Sequence, residues 1–544
     1  MTHPSSLLPV GPQRKTLLAL AAVAAAVLAL IALGHDGRRI AQLMALALPP
    51  LAWLACPVRN AGMHRLRTAA VWVWAMAFVV DGAARAYLLD AYQAAPDSSL
   101  VMSATANTNP RESTEYLSMH WRVVLLWAAA MVGAGAVVAR FAARGARQPA
   151  GWSRGWVAVL CVLLLLSSVA YVSKSARRLH PAIFWSGWSR QVDTLRAGWA
   201  DQQQQRDAAL ARARSVFPLI TQDGPSTLVL VITDSVNRDN MSLYGYPRAT
   251  TPQLVAHRAQ LGDDLLVLRN AWSVDASTLP SLRNMFAFGE PDSGQPRHLL
   301  ALARAAGYKT WWMSNHDDVA IEQQHAQMAD VVEMINRVPG RSGMSLDGEL
   351  LDCIQEALEE PAERKLIVVH LMGAHPHYSL RFPVDANPFD DQPDGVEAEL
   401  QQKGRSAWVR KFRQEYDAAL LYHDSVVAET LRLTRQIGRP QDYRAWMYLS
   451  DHGQEVGHGG NHAGHSPSTA SGYRIPTLVW RNSPAEPYPP GTAQRPFRAD
   501  WAAWTMADLL NIRWTGDSTD RNALGKDYRW VAPELPVKVA SFVD

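Results

Sequence analysis

The chain has 544 residues, more than one domain by length alone, and a formal net charge of +3, too balanced for a nucleic-acid binder. Charged residues make up 19% and hydrophobic residues 48%. That average hides two halves, membrane-like before about residue 175 and soluble-like after it.

Five apolar segments come first: Thr16–Gly34, Ile40–Cys56, Ala69–Leu89, Trp121–Ala143 and Trp156–Val172. Four approach or exceed the length that crosses ~30 Å of hydrocarbon. The second is short and carries Pro49-Pro50, so a kink is expected there. The first is too long for a signal-peptide core and is followed by four more spans. Arg14 and Lys15, Arg59, Arg65 and Arg67, and Arg140, Arg144, Arg147 and Arg154 all fall on one side if the N-terminus is cytoplasmic. Arg38 and Arg39 are on the other side, in a very short loop. Five spans then put everything after Val172 outside the cytoplasm.

Asp81 and Arg85, inside the third span, are a functional candidate by position and an i,i+4 ion pair by spacing. The outer loop Asp90–His120 contains Thr108-Asn-Pro-Arg-Glu112, which on its own reads as a solvated turn. Trp185, Trp188, Val192, Leu195 and Trp199 recur at steps of 3, 4, 3 and 4. That is one helical face, suited either to the membrane–water interface or to packing on the soluble half. Gln202–Gln205 is a solvated linker helix. The resulting division is a five-helix transmembrane domain at 1–174, bridging helices and linker at 175–222, and a soluble domain at 223–544. Cys56, Cys161 and Cys353 cannot build a disulfide framework in the soluble part.

In the soluble half, strand-like runs at Leu228–Thr233, Lys309–Ser314, Lys365–Met372, Trp446–Ser450 and Thr477–Trp480 alternate with helical runs such as His298–Ala306 and Leu346–Glu359. The rhythm is that of an α/β domain with a mostly parallel sheet covered on both faces. Ligands of such sheets gather at the carboxyl ends of strands. There stand Asp234, Asn315, His375 and Asp451-His452-Gly453. Carboxylates and imidazoles converging in this way suit a divalent metal such as Zn²⁺. His458, His462 and His465 follow in a Gly-rich loop, either merely solvated or the place of a second metal beside the one Zn²⁺ expected. Asp234 or Ser235, and Ser277 or Thr278, also read as helix N-caps, with Pro280 early in the second helix.

Asn240-Met-Ser-Leu-Tyr-Gly-Tyr-Pro-Arg248 with Thr250-Thr251-Pro252, and Ser450-Asp-His-Gly-Gln-Glu-Val456, resemble the membrane-anchored phosphoethanolamine transferases of the alkaline phosphatase/sulfatase superfamily. The resemblance runs through the five spans, an aromatic bridging helix and the catalytic domain. It implies a zinc enzyme whose metal ligands are Asp234 (usually a Glu after Gly, here after Thr233), Asp451, His452 and the nucleophile. In ungapped comparison with members acting on the lipopolysaccharide core, the nucleophilic Thr falls on Thr278, with Ser273 and Ser277 nearby. His375 and a loop histidine would act on the phosphate, and His462 and His465 both fit by spacing. Asn315 would line the substrate site. Thr108 and Glu112 match the pair that shapes the lipid-substrate site, although the family's preceding Asn is Ala104 here. The implied donor is phosphatidylethanolamine and the acceptor lipopolysaccharide, on a core sugar or on lipid A. The implied setting is a monomer in the bacterial inner membrane with its catalytic domain in the periplasm. Lack of disulfides points to the core-directed group. The acceptor itself would be set by the loops Ala386–Lys403 and Pro484–Pro496.

Two other classes use related chains. A phosphatase, sulfatase or phosphoglycerol-type transferase would share the metal site, but Thr278 cannot mature to the formylglycine of sulfatases. A non-catalytic envelope lipid-binding protein would have lost the metal ligands, which here are in place.

Overall fold

The computed structural model describes residues 12–92, 94–108, 110–147, 154–200, 202–288, 297–316, 318–335, 345–391, 393–482, 487–539 and 542. Asn109 and residues 484–486 of the expected acceptor loop lie outside these, and nothing is described for the side chain of Trp199. The chain divides into two compact units, Met1–Ala106 with Glu112–Leu195, and Asn107–Arg111 with Arg196–Asp544.

In the first unit the helices are α1 (Pro12–Gly34), α2 (Gly37–Trp53), α3 (Ala61–Tyr92), α4 (Ser99–Asn107), α5 (Pro110–Ala142), α6 (Arg154–Val172) and most of α7 (Pro181–Ala200). Among the described residues four helices, not five, are long and apolar enough to cross a membrane: α1, α3, α5 and α6. The expected second span, Ile40–Cys56, is α2, with 17 residues. It begins at Gly37 with two arginines and covers only about 26 Å. Its prolines remain inside the helix. Pro50 has no N–H to give the carbonyl of Leu46, and the Tyr171 hydroxyl of α6 donates to that oxygen instead, at 2.8 Å. α1 and α3 approach backbone to backbone at Gly34 and Gly82: a Cβ on Gly82 would meet the Leu30 carbonyl oxygen at 2.3 Å.

Asp81 and Arg85 form the i,i+4 pair at 2.9 Å, and more. Asp81 also accepts from the Trp185 indole at 2.9 Å and lies 3.0 Å from His35 Nε2. The Arg85 guanidinium lies 4.0 Å from the Phe184 ring centroid. Trp188 donates to the Pro96 carbonyl at 2.7 Å. Trp185 and Trp188 of the α7 stripe are thus held by groups of the first unit.

The second unit is built on a seven-stranded sheet. Its strands are β1 (Ser226–Thr233), β2 (Leu265–Val267), β3 (Lys309–Ser314), β4 (Val331–Met334), β5 (Arg364–Leu371), β6 (Tyr443–Ser450) and β7 (Thr477–Arg481), in the order β2-β7-β6-β1-β5-β3-β4. Every strand-like run of the sequence falls on one of these. The sheet is mixed: four neighbouring pairs are parallel, while β7 pairs antiparallel with both β6 and β2. β1 is apolar without interruption because both faces are covered. Leu228, Leu230 and Ile232 enter one core, and Val229 and Val231 the other. Helices α8 (Pro252–Leu261), α9 (Thr278–Phe286) and α10 (Ala407–Gln436) surround the sheet.

Candidate metal centre

Strand register assembles the site. β1 and β6 run parallel with Thr233 opposite Ser450, so the next residues, Asp234 and Asp451, emerge side by side. The Asp451 amide donates to the Thr233 carbonyl at 2.9 Å. β5 lies on the other flank of β1 with Leu371 opposite Thr233, which brings the turn 372–375 and His375 to the same edge. Asp234, Asp451 and His452 are fully buried.

Thr278 is the first residue of α9, and Ser277 is its N-cap in extended conformation. The Thr278 hydroxyl donates to Asp234 Oδ2 at 2.9 Å and lies 3.4 Å from His452 Nε2. His452 Nδ1 is bound to the Gly453 carbonyl at 2.7 Å, which turns Nε2 into the site. Ligand atoms of Asp234, His452 and His465 all lie within 4.8 Å of one another. Asp451 Oδ1 accepts from the amides of Ser235 and His452, at 3.1 and 2.6 Å. Asp451 Oδ2 and His465 Nε2 are buried with no hydrogen-bond partner.

Electrostatics point the same way. Burial alone would raise Asp234, but the imidazoles around it, with His452 and His316 themselves raised, hold it well below the usual carboxylate range. Burial and the charge of Asp234 push Asp451 up to about 7. Burial drives His375 well down and His465 to about 3, so both are neutral imidazoles. Two adjacent buried carboxylates beside neutral imidazoles, with two orphaned ligand atoms, fit a divalent cation, whose charge relieves the repulsion between the acids. Asp234, Asp451, His452 and Thr278 supply oxygen and imidazole donors of the type zinc takes, with His465 in reach.

Other sequence-selected residues are distributed differently. Of the two loop histidines, His462 bonds through Nε2 to the His465 carbonyl at 3.1 Å, while His465 itself faces His452 at 4.8 Å between rings. His458 bonds to Asn240 Oδ1 at 2.7 Å. The Asn315 amide is bonded to Asp347 at 2.9 Å and to the Ser345 carbonyl at 3.2 Å. Asp347 in turn accepts the amides of Met372 and Gly373, at 2.8 and 2.9 Å, so Asn315 braces the turn that carries His375. Thr108 follows α4, and Glu112 sits in the first turn of α5. Ser273 and Ser277 are near Thr278 in sequence but bonded elsewhere. Ser273 Oγ donates to the Asp451 carbonyl at 2.7 Å, and Ser277 Oγ to Asp275 at 3.1 Å.

Sequence reading passed over three contributors. Ser235 takes φ +61 directly after Asp234, and its hydroxyl donates to Asp234 Oδ1 at 2.5 Å. His316, one residue past Asn315, stacks on His370 at 4.1 Å and stands edge-on to His375 at 5.9 Å. Against its burial, Asp318 and Asp234 raise His316 to about 9. Its place at the end of a strand was the available signal. Glu455 accepts the Gly459 amide at 3.0 Å and the Ser471 hydroxyl, tying down the histidine loop.

The segment Asn240–Pro252 does not enter the metal site. Asn240 Nδ2, the Tyr246 hydroxyl and Arg248 Nη1 all converge on the buried carboxylate of Asp417 in α10, at 2.9, 2.6 and 2.8 Å. It is a brace between the loop after β1 and the helix behind it.

A sheet of this order with a cluster of candidate metal ligands at the strand ends defines the class, and the family model described as Sulfatase matches residues 226–512, more than half of the chain. The chain belongs to the sulfatase family. Residues 60–179 match a second model, described as phosphoethanolamine transferase EptA/EptB. The chain is 27% identical over 489 residues to phosphoethanolamine transferase EptC of Escherichia coli K12, covering 82% of this chain and 81% of that one. It is 26% identical over 483 residues to phosphoethanolamine transferase CptA of Salmonella typhimurium, covering 82% and 81%. The crystal structure of the C-terminal periplasmic domain of the E. coli EptC, in complex with Zn, superposes with TM-score 0.53 at 28% identity, covering 58% of this chain and 91% of that one. The integral membrane lipooligosaccharide phosphoethanolamine transferase A of Neisseria meningitidis shares the fold over 94% of this chain and 97% of its own, with TM-score 0.57 at 19% identity. The expected kinship is shown.

Proposed function

We propose that the chain transfers phosphoethanolamine from phosphatidylethanolamine to a lipopolysaccharide acceptor, on a core sugar or on lipid A, through a phosphorylated Thr278. One observation carries this reading: the Thr278 hydroxyl, at a helix N-terminus, lies against Asp234 Oδ2 and His452 Nε2 inside the buried cluster. Asp234, Asp451, His452 and Thr278 would hold a Zn²⁺, which when bound lowers the pKa of the hydroxyl and polarises the phosphoryl group.

The residues divide the remaining work. Asp234 and His452 orient the Thr278 oxygen for in-line attack on phosphorus. The bond to the diacylglycerol oxygen breaks, and that oxygen takes up a proton. The free amides of the first turn of α9 and its dipole favour the phosphate ester that results. Neutral His375, with His465 or His462, is suited to take the proton that leaves the Thr278 hydroxyl and pass it to the diacylglycerol oxygen, and in the return step to take the acceptor hydroxyl's proton and give it back to Thr278. His316, held charged by Asp318, sets positive charge behind His375. The names of the relatives support the transferred group, and the Zn-bound relative supports the metal. Thr108 and Glu112 are proposed for the lipid donor.

The setting follows. α2 is proposed as a fifth crossing, short but with its proline-freed carbonyl satisfied inside the bundle. The domains are then 1–174, 175–222 and 223–544. The chain is a monomer of the inner membrane, with its catalytic domain on the periplasmic side. Mass spectrometry of lipopolysaccharide from cells with and without the gene tests the function. A gain of one phosphoethanolamine unit on core or lipid A is expected, and identical spectra overturn it.

A further inference from the structure

Resting on the transfer reading, a separate feature bears on the acceptor. α10 has 30 residues and leads through residues 437–442 into the first residue of β6. Its C-terminus therefore stands at the amino end of β6, and its N-terminus at the carboxyl edge of the sheet, where Asp234 and Asp451 emerge. A helix of that length spans about 45 Å and the eight-residue strand about 27 Å. The first turns of α10 therefore project past the edge of the sheet.

Trp408 lies in the first turn. It is 46% exposed, the only tryptophan among the described residues of the second unit to stand out in solvent. Its ring is nevertheless fixed. It stands edge-on to Phe412 at 5.7 Å and 86°, and Phe412 stands edge-on to Tyr378 at 5.9 Å and 88°. The Tyr378 hydroxyl accepts from Gln454, two residues past His452, at 2.8 Å. The chain just before Trp408 is bound to the histidine loop. The Ser406 amide and hydroxyl donate to Asn461 Oδ1 at 2.7 and 2.9 Å, and Arg405 donates to the carbonyls of Gly457 and His458 at 2.8 and 3.1 Å. One turn on, Lys411 pairs with Asp390 of the loop that follows residue 385.

We propose that Trp408 is the platform on which a sugar ring of the acceptor glycan stacks. A pyranose offers one apolar C–H face and a rim of hydroxyls. An indole held in one orientation takes up the apolar face at little entropic cost. The neighbours Arg405, Arg410 and Lys411 are charged, and each is held within the chain, by the Gly457 carbonyl, Glu397 and Asp390 in turn, so the ring has a polar surround. A bilayer would instead call for a cluster of apolar side chains, and Trp408 stands alone among charged ones. The ring packs through Phe412 on Tyr378, which bonds Gln454 two residues past His452, and the chain before it is tied to the loop that carries His462 and His465.

The test uses the full-length protein in phosphatidylethanolamine-containing vesicles, with a lipopolysaccharide core oligosaccharide freed of lipid A as acceptor. Two rates are read: formation of the phosphoethanolamine adduct without acceptor, and its transfer to the oligosaccharide. Trp408→Ala is expected to leave adduct formation within about twofold of wild type and to raise the acceptor KM about tenfold. That is about 1.4 kcal/mol, the upper range for one aromatic contact. Trp408→Tyr should recover most of the loss. Normal adduct formation with an unchanged acceptor KM overturns the platform alone. An equal fall in both rates overturns it as well, since Trp408 would then serve the fold. A wild-type protein that forms no adduct overturns the transfer reading, and the platform with it.

Discussion

A Cβ placed on Gly373 would sit 2.0 Å from the hydroxyl oxygen of Thr233. Thr233 ends β1, Gly373 lies two residues past the end of the adjacent β5, and Gly373 also takes φ +53. The turn that leads to His375 is thus closed to any side chain. Gly373→Ala should lower stability by about 2 kcal/mol or more, through strained φ and displaced backbone. Thermal unfolding of the purified chain checks this, and Thr233→Gly added to it should return part of the loss. An unchanged melting temperature would show that the turn yields freely.

Metal content follows from the donor set. Elemental analysis of the full-length protein should find at least one zinc per chain, and an Asp451→Ala/His452→Ala double variant should lack it. His465→Ala should keep zinc but release it at tenfold or more lower chelator concentration, as expected when one supporting group of a metal site is removed. Equal zinc in wild type and double variant would remove these residues from the site.

The nucleophile can be caught directly. Incubated with phosphatidylethanolamine and no acceptor, the protein should accumulate phosphoethanolamine on one peptide, and tandem mass spectrometry should locate it on Thr278. Thr278→Ala should lose the adduct and acceptor modification while retaining its zinc. Full transfer by that variant would mean attack by some other group.

Asp424 gives a pH signature away from the metal. Its carboxylate accepts the amides of Gln253 and Leu254 at the start of α8, at 2.7 and 3.0 Å. Burial pushes it up to about 7. A carboxyl raised above its unfolded value of about 4 favours the fold while protonated. That contribution is complete below about 4 and is lost as pH rises through 7. Asp424→Asn, which cannot ionise, should flatten the loss of stability between pH 5 and pH 8, read from thermal unfolding at both values. The same slope in both proteins would leave Asp424 ionised throughout.

Topology can be checked with reporters. A periplasm-dependent phosphatase fused after Asp544 should be active, and one fused near Arg144 inactive. The opposite pattern would put the catalytic unit in the cytoplasm and deprive it of its acceptor.

Much of this was legible beforehand because it is local. Continuous apolar runs marked β1, β3, β5, β6 and β7, and polar residues at their ends marked Asp234, His375 and Asp451. What was not legible depends on partners distant in the chain. Asn315 stands out as a strand-end residue, but nothing local shows that Asp347, 32 residues on, takes up its amide. His316, beside it, is the one turned toward His375. Nothing local shows that Asn240 bonds to Asp417, 177 residues downstream. α2 reads as a span by hydropathy, and its length is set by where Gly37 and Trp53 let the helix begin and end.

The brace on Asp417 separates two kinds of inheritance. Tyr246, Arg248 and Asn240 answer to a carboxylate in α10, not to metal or phosphate. A descendant could exchange Asp451 and His452 for inert side chains and keep the whole of Asn240–Pro252, since its architecture would need that stretch as much as before. Such a chain would keep one of the two stretches that carry the resemblance and none of the chemistry. In a newly met relative, Asp234 and the residues after β6, rather than the stretch Asn240–Pro252, would tell a catalyst from a silent cousin.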